Sequence, residues 1–244
     1  MVHGVSCGGW CFEAFGSVFE ARGFECLAPD LVGHGADKSN GIENLTGVGI
    51  AVYRTQMRDL VAQLPRKTIL VAHSMGADIA QQLAAEGLAD KLVLVSPAPR
   101  SGILPSSSPL MQLGQDLMSL GPFWTRALDP NFEIACEISL NNLSPERQRI
   151  LFESFGPDPG RALFELFFWM SDQTGATIVD TQAISCPVLT LSGSDDRVVP
   201  LGTAKATADS YPGSPFWVLE DHAHMALMED GAYKLASRIA DWLG

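Results

Sequence analysis

The chain lacks any apolar run near the roughly 20 residues that a membrane-spanning helix requires. No signal-peptide pattern stands ahead of its first motif, so the expected compartment is the cytoplasm, with no stable membrane insertion. Positive charge is scarce: Lys and Arg total 16 against 28 Asp and Glu, a net charge of −12. That balance argues against a nucleic-acid surface and against binding to anionic membranes, and it favours solubility. Cysteine is sparse and odd in number. Cys7, Cys11, Cys26, Cys136 and Cys186 show no disulfide-like regularity, and the close pair Cys7 and Cys11 has no second ligand pair to complete a zinc site. The thiols read as buried and reduced, and no metal is expected. Internal repeats and low-complexity tracts are absent, which excludes a repeat array. What remains is 244 residues, 46% of them apolar: one large domain, or a core with an insertion.

One short stretch organises the rest. Thr68 to Ala72 and the residues leading into His73 read as a buried strand, apolar and rich in β-branched types. Asp78 to Glu86, DIAQQLAAE, reads as a helix with Ile79, Leu83 and Ala84 on one face. Only His73 to Gly76 make the reversal between them. So sharp a turn strains its central residue and exposes that side chain above the sheet, while the new helix aims free N–H groups at the same spot. A serine there is a candidate nucleophile, and the next N–H a candidate oxyanion donor. The small residues Ala72 and Gly76, two positions either side of Ser74, suit that packing. The plainer reading is an ordinary strand–helix turn.

Strand and helix alternate around this stretch. Met1 to Gly4 reads as the end of a strand entering a Gly-rich loop. Trp10 to Ala21 then has helical spacing and stops at Gly23, and Phe24 to Ala28 reads as the next strand. A helix follows around Val48 to Leu64, and a strand at Lys91 to Ser96. Near Pro97 the rhythm breaks into a Pro- and Ser-rich stretch. From Leu110 to about Gln173 the patterns are helical and aromatic. Alternation resumes with Val188 to Leu191, a helix around Thr203 to Ser210, the strand Phe216 to Leu219 and a last helix, Ala232 to Leu243. This is the pattern of a mostly parallel sheet flanked by helices. Residues 1–99 and 181–244 are expected to form an α/β core and 100–180 a helical cap. Within the cap, Ala162 to Met170 reads as a helix apolar nearly all round. Some of Phe164, Phe167, Phe168 and Trp169 are therefore expected to line an apolar pocket above Ser74.

A serine nucleophile needs a base and a group to orient that base. Loops after parallel strands emerge at one edge of the sheet, the edge that carries Ser74. His222 and His224 follow the last strand, and Asp195 and Asp196 follow Val188 to Leu191, so each role has two candidates. His73 adjoins Ser74, but successive side chains at such a turn diverge. Surface placement of His222, and a turn or capping role for either aspartate, are the plainer alternatives.

Five motifs in order resemble those of the α/β-hydrolase superfamily: His3-Gly4, Pro29 to Gly35, Ala72-His73-Ser74-Met75-Gly76, Gly193 to Pro200, and Ala223-His224-Met225. The resemblance implies an α/β-hydrolase fold with a helical cap, and hydrolysis without a cofactor. It places the nucleophile on Ser74, the acid on Asp196, the base on His224, and the oxyanion hole on the N–H groups of Val5 and Met75. Three departures stand out. Ala72 replaces the usual Gly, the loop from Gly33 to Ser39 is longer than the Gly-x-Gly-x-Ser form, and the N-terminal strands are reduced or missing. Ser74 speaks against the haloalkane dehalogenases and epoxide hydrolases, which carry Asp at that turn. Met225 speaks against the hydroxynitrile lyases, which carry Lys after the histidine. The expected activity is that of a serine hydrolase of the carboxylesterase or lipase type. It would cleave esters of small to medium apolar substrates through an acyl-serine intermediate, as a monomer or homodimer. C–C bond hydrolase, lactonase, thioesterase or acyltransferase chemistry, or a receptor-like binding role, are the alternatives.

Overall fold

The computed structural model describes residues 1–35, 45–65, 68–104 and 108–244. The long loop expected after Gly33 continues beyond Gly35 outside the described residues, as does Pro105 to Ser107. Four parallel strands form the main sheet in the order β1 (Thr68–His73), β2 (Ala89–Val95), β5 (Val188–Gly193) and β6 (Phe216–Leu219). Both faces of the sheet are covered, so the inner strands read as continuous apolar runs. Successive residues serve opposite faces. Leu70, Ala72, Leu92 and Leu94 pack with α2 (Ile50–Ala62) and α3 (Met75–Ala85). Val71, Val93, Val95, Leu189 and Leu191 pack with α1 (Glu13–Ala21) and α9 (Ala232–Leu243). The buried positions of α9, Leu235, Ala236, Ile239, Ala240 and Leu243, fall on one helical stripe. The remaining core helix, α8 (Leu201–Ala208), packs on β5.

Two sequence-based expectations need correction. Phe24 to Ala28 is extended but forms no strand. No strand pairs with it among the described residues, though Leu27 O accepts from the Met1 amino group at 2.6 Å. The Met1 to Gly4 segment itself is reduced to one parallel bridge, Val2 to Ala72. The second correction concerns Ala162 to Met170. The helix there is α7 (Gly160–Phe167), and Phe168 to Met170 lie beyond its end.

Between β2 and β5 the chain leaves the sheet. It forms α4 (Ser108–Ser119), α5 (Phe132–Ile138), α6 (Pro145–Phe152) and α7. A small antiparallel ladder joins β3 (Ala127–Leu128) to β4 (Asp158–Pro159). Two residues carry no readable period, so the ladder was invisible in the sequence. Among the described residues no helix is long and apolar enough to cross a membrane.

Candidate active site

β1 ends at His73 and α3 begins at Met75, leaving Ser74 alone to turn the chain. Its φ is +51°, a left-handed value that a non-glycine residue adopts only when its surroundings enforce it. Here Ser74 N–H donates to Val95 O at 3.1 Å, and Ser74 O accepts from Ala77 N–H at 3.0 Å and Ala98 N–H at 3.2 Å. The first turn of α3 passes very close to the N-terminal segment. A Cβ on Gly76 would lie 2.3 Å from Val2 O and 2.5 Å from His3 O. Likewise a Cβ on Gly4 would lie 2.7 Å from Ser74 Cβ, so glycine lets the loop after His3 touch Ser74.

The loops after β5 and β6 bring the other two groups to the same edge. Ser74 Oγ lies 3.1 Å from His224 Nε2, and His224 Nδ1–H donates to Asp196 Oδ2 at 3.0 Å and Oδ1 at 3.2 Å. All three residues are buried. Asp196 Oδ1 also accepts from the N–H groups of Val198 at 2.9 Å and Val199 at 2.7 Å, which locks the carboxylate plane. Asp195 and His222 stand apart. Asp195 is exposed, with its N–H on His222 O at 2.8 Å, and His222 Nδ1–H donates to Glu220 O at 2.8 Å. A hydroxyl on one imidazole nitrogen and a carboxylate on the other can pass a proton from serine to the ring and stabilise the resulting cation.

Two residues brace His224: His73, set aside as a base in the sequence, and Glu229, which was not singled out there. His73 Nε2–H donates to His224 O at 2.9 Å. Burial, reinforced by the nearby His224, pushes the His73 pKa down to about 3, so its ring is neutral. Its ring centroid lies 4.8 Å from that of His224, and its hydrogen bond goes to the backbone of the base. Glu229 accepts the Ala223 N–H on both oxygens, at 3.0 and 3.1 Å. Burial raises its pKa despite that bond. Both residues act on backbone atoms, which no side-chain spacing reveals.

Among the described residues neither the Val5 nor the Met75 N–H donates to a protein acceptor. Met75 N–H opens α3, where free donors are inherent, and Val5 borders the same cavity as Ser74. That cavity measures about 480 Å³ and has Ser74 and His224 in its wall. Its apolar lining comes from Leu110, Leu113 and Leu117 of α4, Ile134 and Ile138 of α5, Leu163, Leu166 and Phe167 of α7, and Val198, Val199 and Met225. Of the four aromatic residues expected to line a pocket, Phe167 does so. Phe164 and Phe168 instead stack on each other and pack at a tilt against Phe123, with Trp124 against Phe164, and Trp169 lies outside the lining. Phe168 lies four positions after Phe164 and shares its face, the one that meets Phe123, while Trp169 follows the helix end. Among the described residues no group of three or more His, Cys, Asp or Glu is gathered as a metal would need.

Comparison with known proteins agrees with this architecture. An uncharacterized protein of Mycobacterium tuberculosis is 28% identical over 259 residues, covering 95% of this chain and 71% of its own. A pyrethroid hydrolase of Sphingobium wenxiniae is 25% identical over 252 residues, covering 99% of this chain and 86% of its own. The crystal structure of a methylesterase from Arabidopsis superposes with a TM-score of 0.75 at 19% identity, covering 99% of this chain and 97% of the other. The model of the alpha/beta hydrolase family matches residues 1–236, nearly the whole length, and the chain belongs to that family.

Proposed function

We propose that this protein hydrolyses carboxylic esters of small to medium apolar substrates through an acyl-serine intermediate. The observation that carries the reading is the continuous line from Ser74 through His224 to Asp196 in the wall of an apolar cavity. Ser74 attacks the ester carbonyl as His224 takes its proton. The N–H groups of Val5 and Met75 receive the oxyanion. His224 returns the proton to the departing alcohol, and Asp196 holds the ring in the Nδ1–H tautomer and stabilises its cationic form. Water, activated by the same histidine, then releases the acid. In this reading residues 1–99 and 181–244 are the core and 100–180 a cap that supplies most of the apolar wall. A cavity of about 480 Å³ falls within the roughly 300–1,000 Å³ of small-molecule sites. The relative named a pyrethroid hydrolase supports a hydrolytic role. The five free cysteines suit a reducing compartment, the cytoplasm.

The test is a panel of p-nitrophenyl esters from acetate to dodecanoate, with a thioester, a lactone and an anilide beside them. Ester turnover that disappears in Ser74→Ala is the expected result. No turnover of any ester, or turnover indifferent to that substitution, would remove the reading.

A further inference from the structure

Asp158 of β4 borders the cavity yet stands outside the Ser74–His224–Asp196 line. It is 3% exposed and accepts from three donors: Ser6 N–H at 3.1 Å and His34 Nε2–H at 3.0 Å on Oδ1, and Ser6 Oγ–H at 2.7 Å on Oδ2. His34 also donates from Nδ1 to Val32 O at 3.2 Å. Both ring nitrogens face oxygen acceptors, an arrangement that favours the protonated ring. Burial opposes that charge, but the bond to Asp158 and its negative charge outweigh it and raise the His34 pKa. Each oxygen of the buried carboxylate thus has at least one donor, as a buried carboxylate needs. This is no second nucleophile site, because the Ser6 hydroxyl meets the carboxylate and not the ring.

What the carboxylate holds is the loop that carries Val5. The peptide before Val5 is fixed at its carbonyl: Gly4 O accepts from His3 Nδ1–H at 2.9 Å and Cys7 N–H at 3.3 Å. His3 Nε2 in turn accepts from Leu31 N–H at 2.9 Å, and burial, followed by repulsion from His34, lowers its pKa to about 4, so this ring is neutral. In a trans peptide the C=O and N–H point opposite ways, so these bonds turn the Val5 N–H away from His3. The peptide after Val5 is fixed at its N–H by Asp158. Ser6 itself has φ +59°, and its carbonyl accepts from Gly156 N–H at 3.0 Å. A left-handed serine persists only where its surroundings hold it.

We propose that Asp158 is a positioning residue: by gripping the backbone and the hydroxyl of Ser6 it fixes the direction of the Val5 N–H and so completes the oxyanion hole. The segment between β2 and β5 then belongs to the reaction machinery as well as to the pocket wall. The proposal rests on the ester-hydrolase reading above.

The experiment compares wild type, Asp158→Ala, Asp158→Asn and Ser6→Ala on p-nitrophenyl butyrate. Each is also tested against an alkyl trifluoromethyl ketone, whose adduct with Ser74 carries an oxyanion, and against the matching alcohol, whose complex carries none. Asp158→Ala is expected to lower kcat by about 10²-fold with KM little changed, the scale of losing one oxyanion donor. Affinity for the ketone should fall by the same factor and that for the alcohol should stay. Asp158→Asn should fall between Asp158→Ala and wild type, because its amide oxygen still accepts from Ser6 N–H and its NH₂ can donate to Ser6 Oγ. Unchanged kcat in Asp158→Ala overturns the proposal. So does a loss confined to KM and alcohol affinity, which would make Asp158 a substrate contact. Thermal melts report folding. If Asp158→Ala does not fold, Asp158→Asn and Ser6→Ala carry the same comparison, and wild-type kcat and ketone affinity in both overturn it. Failure of the underlying reading is separate: it shows as wild-type turnover that is absent or survives Ser74→Ala.

Discussion

Ser74 is held in a conformation that costs on the order of 1–3 kcal/mol, and hydrogen bonds to the end of β2, the loop after it and the first turn of α3 maintain it. The strain is in the backbone, so removing the hydroxyl leaves the turn intact. Ser74→Ala is therefore expected to fold as the wild type does while losing roughly 10⁴–10⁶ of its ester turnover. A serine-directed phosphonate should label Ser74 alone, read by peptide mass spectrometry; label on any other serine would refute the assignment. The two ambiguous pairs separate in the same assay. His224→Ala should approach Ser74→Ala in severity, and Asp196→Asn should cost on the order of 10⁴ in kcat, because it favours the wrong tautomer. His222→Ala and Asp195→Asn should be mild, since neither side chain reaches the imidazole of His224. A larger loss in Asp195→Asn than in Asp196→Asn would mean the assignment is off by one. At this scale the sequence was partly legible. The residues left two candidates for each role, and the resemblance to the α/β-hydrolases pointed to Asp196 and His224, which the fold brings together. The roles of His73, Glu229 and Asp158 were not legible, because each grips backbone atoms, those of a distant loop for His73 and Asp158 and of its own loop for Glu229, and leaves no pattern along the chain.

Secondary-structure elements were readable where their period was long and their faces differed. The strands β1, β2, β5 and β6 are apolar runs, and α9 has a single stripe, so their positions followed from the residues. Failures came where tertiary partners decide. Phe24 to Ala28 has strand composition without a neighbouring strand, and α7 stops at Phe167 inside an unbroken apolar string. The consequence for function is a division among the phenylalanines. Both pack against the cluster built on Phe123, but Phe167 also lines the cavity and Phe168 does not. Phe167→Ala should lengthen the preferred acyl chain, each added methylene contributing up to ~0.8 kcal/mol until the larger pocket fills. Phe168→Ala should leave chain-length preference alone and lower stability by about 2 kcal/mol, less than the loss for a fully buried ring because Phe168 is half-buried. The measurement is kcat/KM across the p-nitrophenyl series together with urea midpoints. A chain-length shift in Phe168→Ala and none in Phe167→Ala would reverse the division.

Across the whole molecule, buried charge gathers where the segment between β2 and β5 meets α2 and α3. Glu165 Oε2 accepts from Ile50 N–H at 2.7 Å and its other oxygen from Arg161 at 2.6 Å. Gln82 Nε2 donates to Asp78 Oδ2 at 2.8 Å and to Ala176 O at 3.0 Å, and its carbonyl accepts from Arg54 at 3.0 Å. Asp78 is fully buried, and its Oδ1 has no hydrogen-bond partner among the described residues. Burial pushes its pKa from 3.8 to about 7, against the pull of Gln82, Arg100 and Arg54. The folded value lies above the unfolded one, so this carboxyl contributes stability in full below about pH 4, and loses it as pH rises toward 7. Asp78→Asn cannot ionise and lacks that dependence. Every other titrating group is common to both proteins and cancels in their difference. Between pH 5 and pH 8 the stability of Asp78→Asn relative to wild type should therefore rise by about 2–3 kcal/mol, at roughly 1.4 kcal/mol per pKa unit over the two units from 5 to 7. Urea unfolding of both proteins at the two pH values gives this difference directly. An equal difference at pH 5 and pH 8 would mean that Asp78 stays ionised throughout, held by Arg54 and Arg100, and that this seam is an ion-pair network instead of a protonated acid under a hydrophobic sheet.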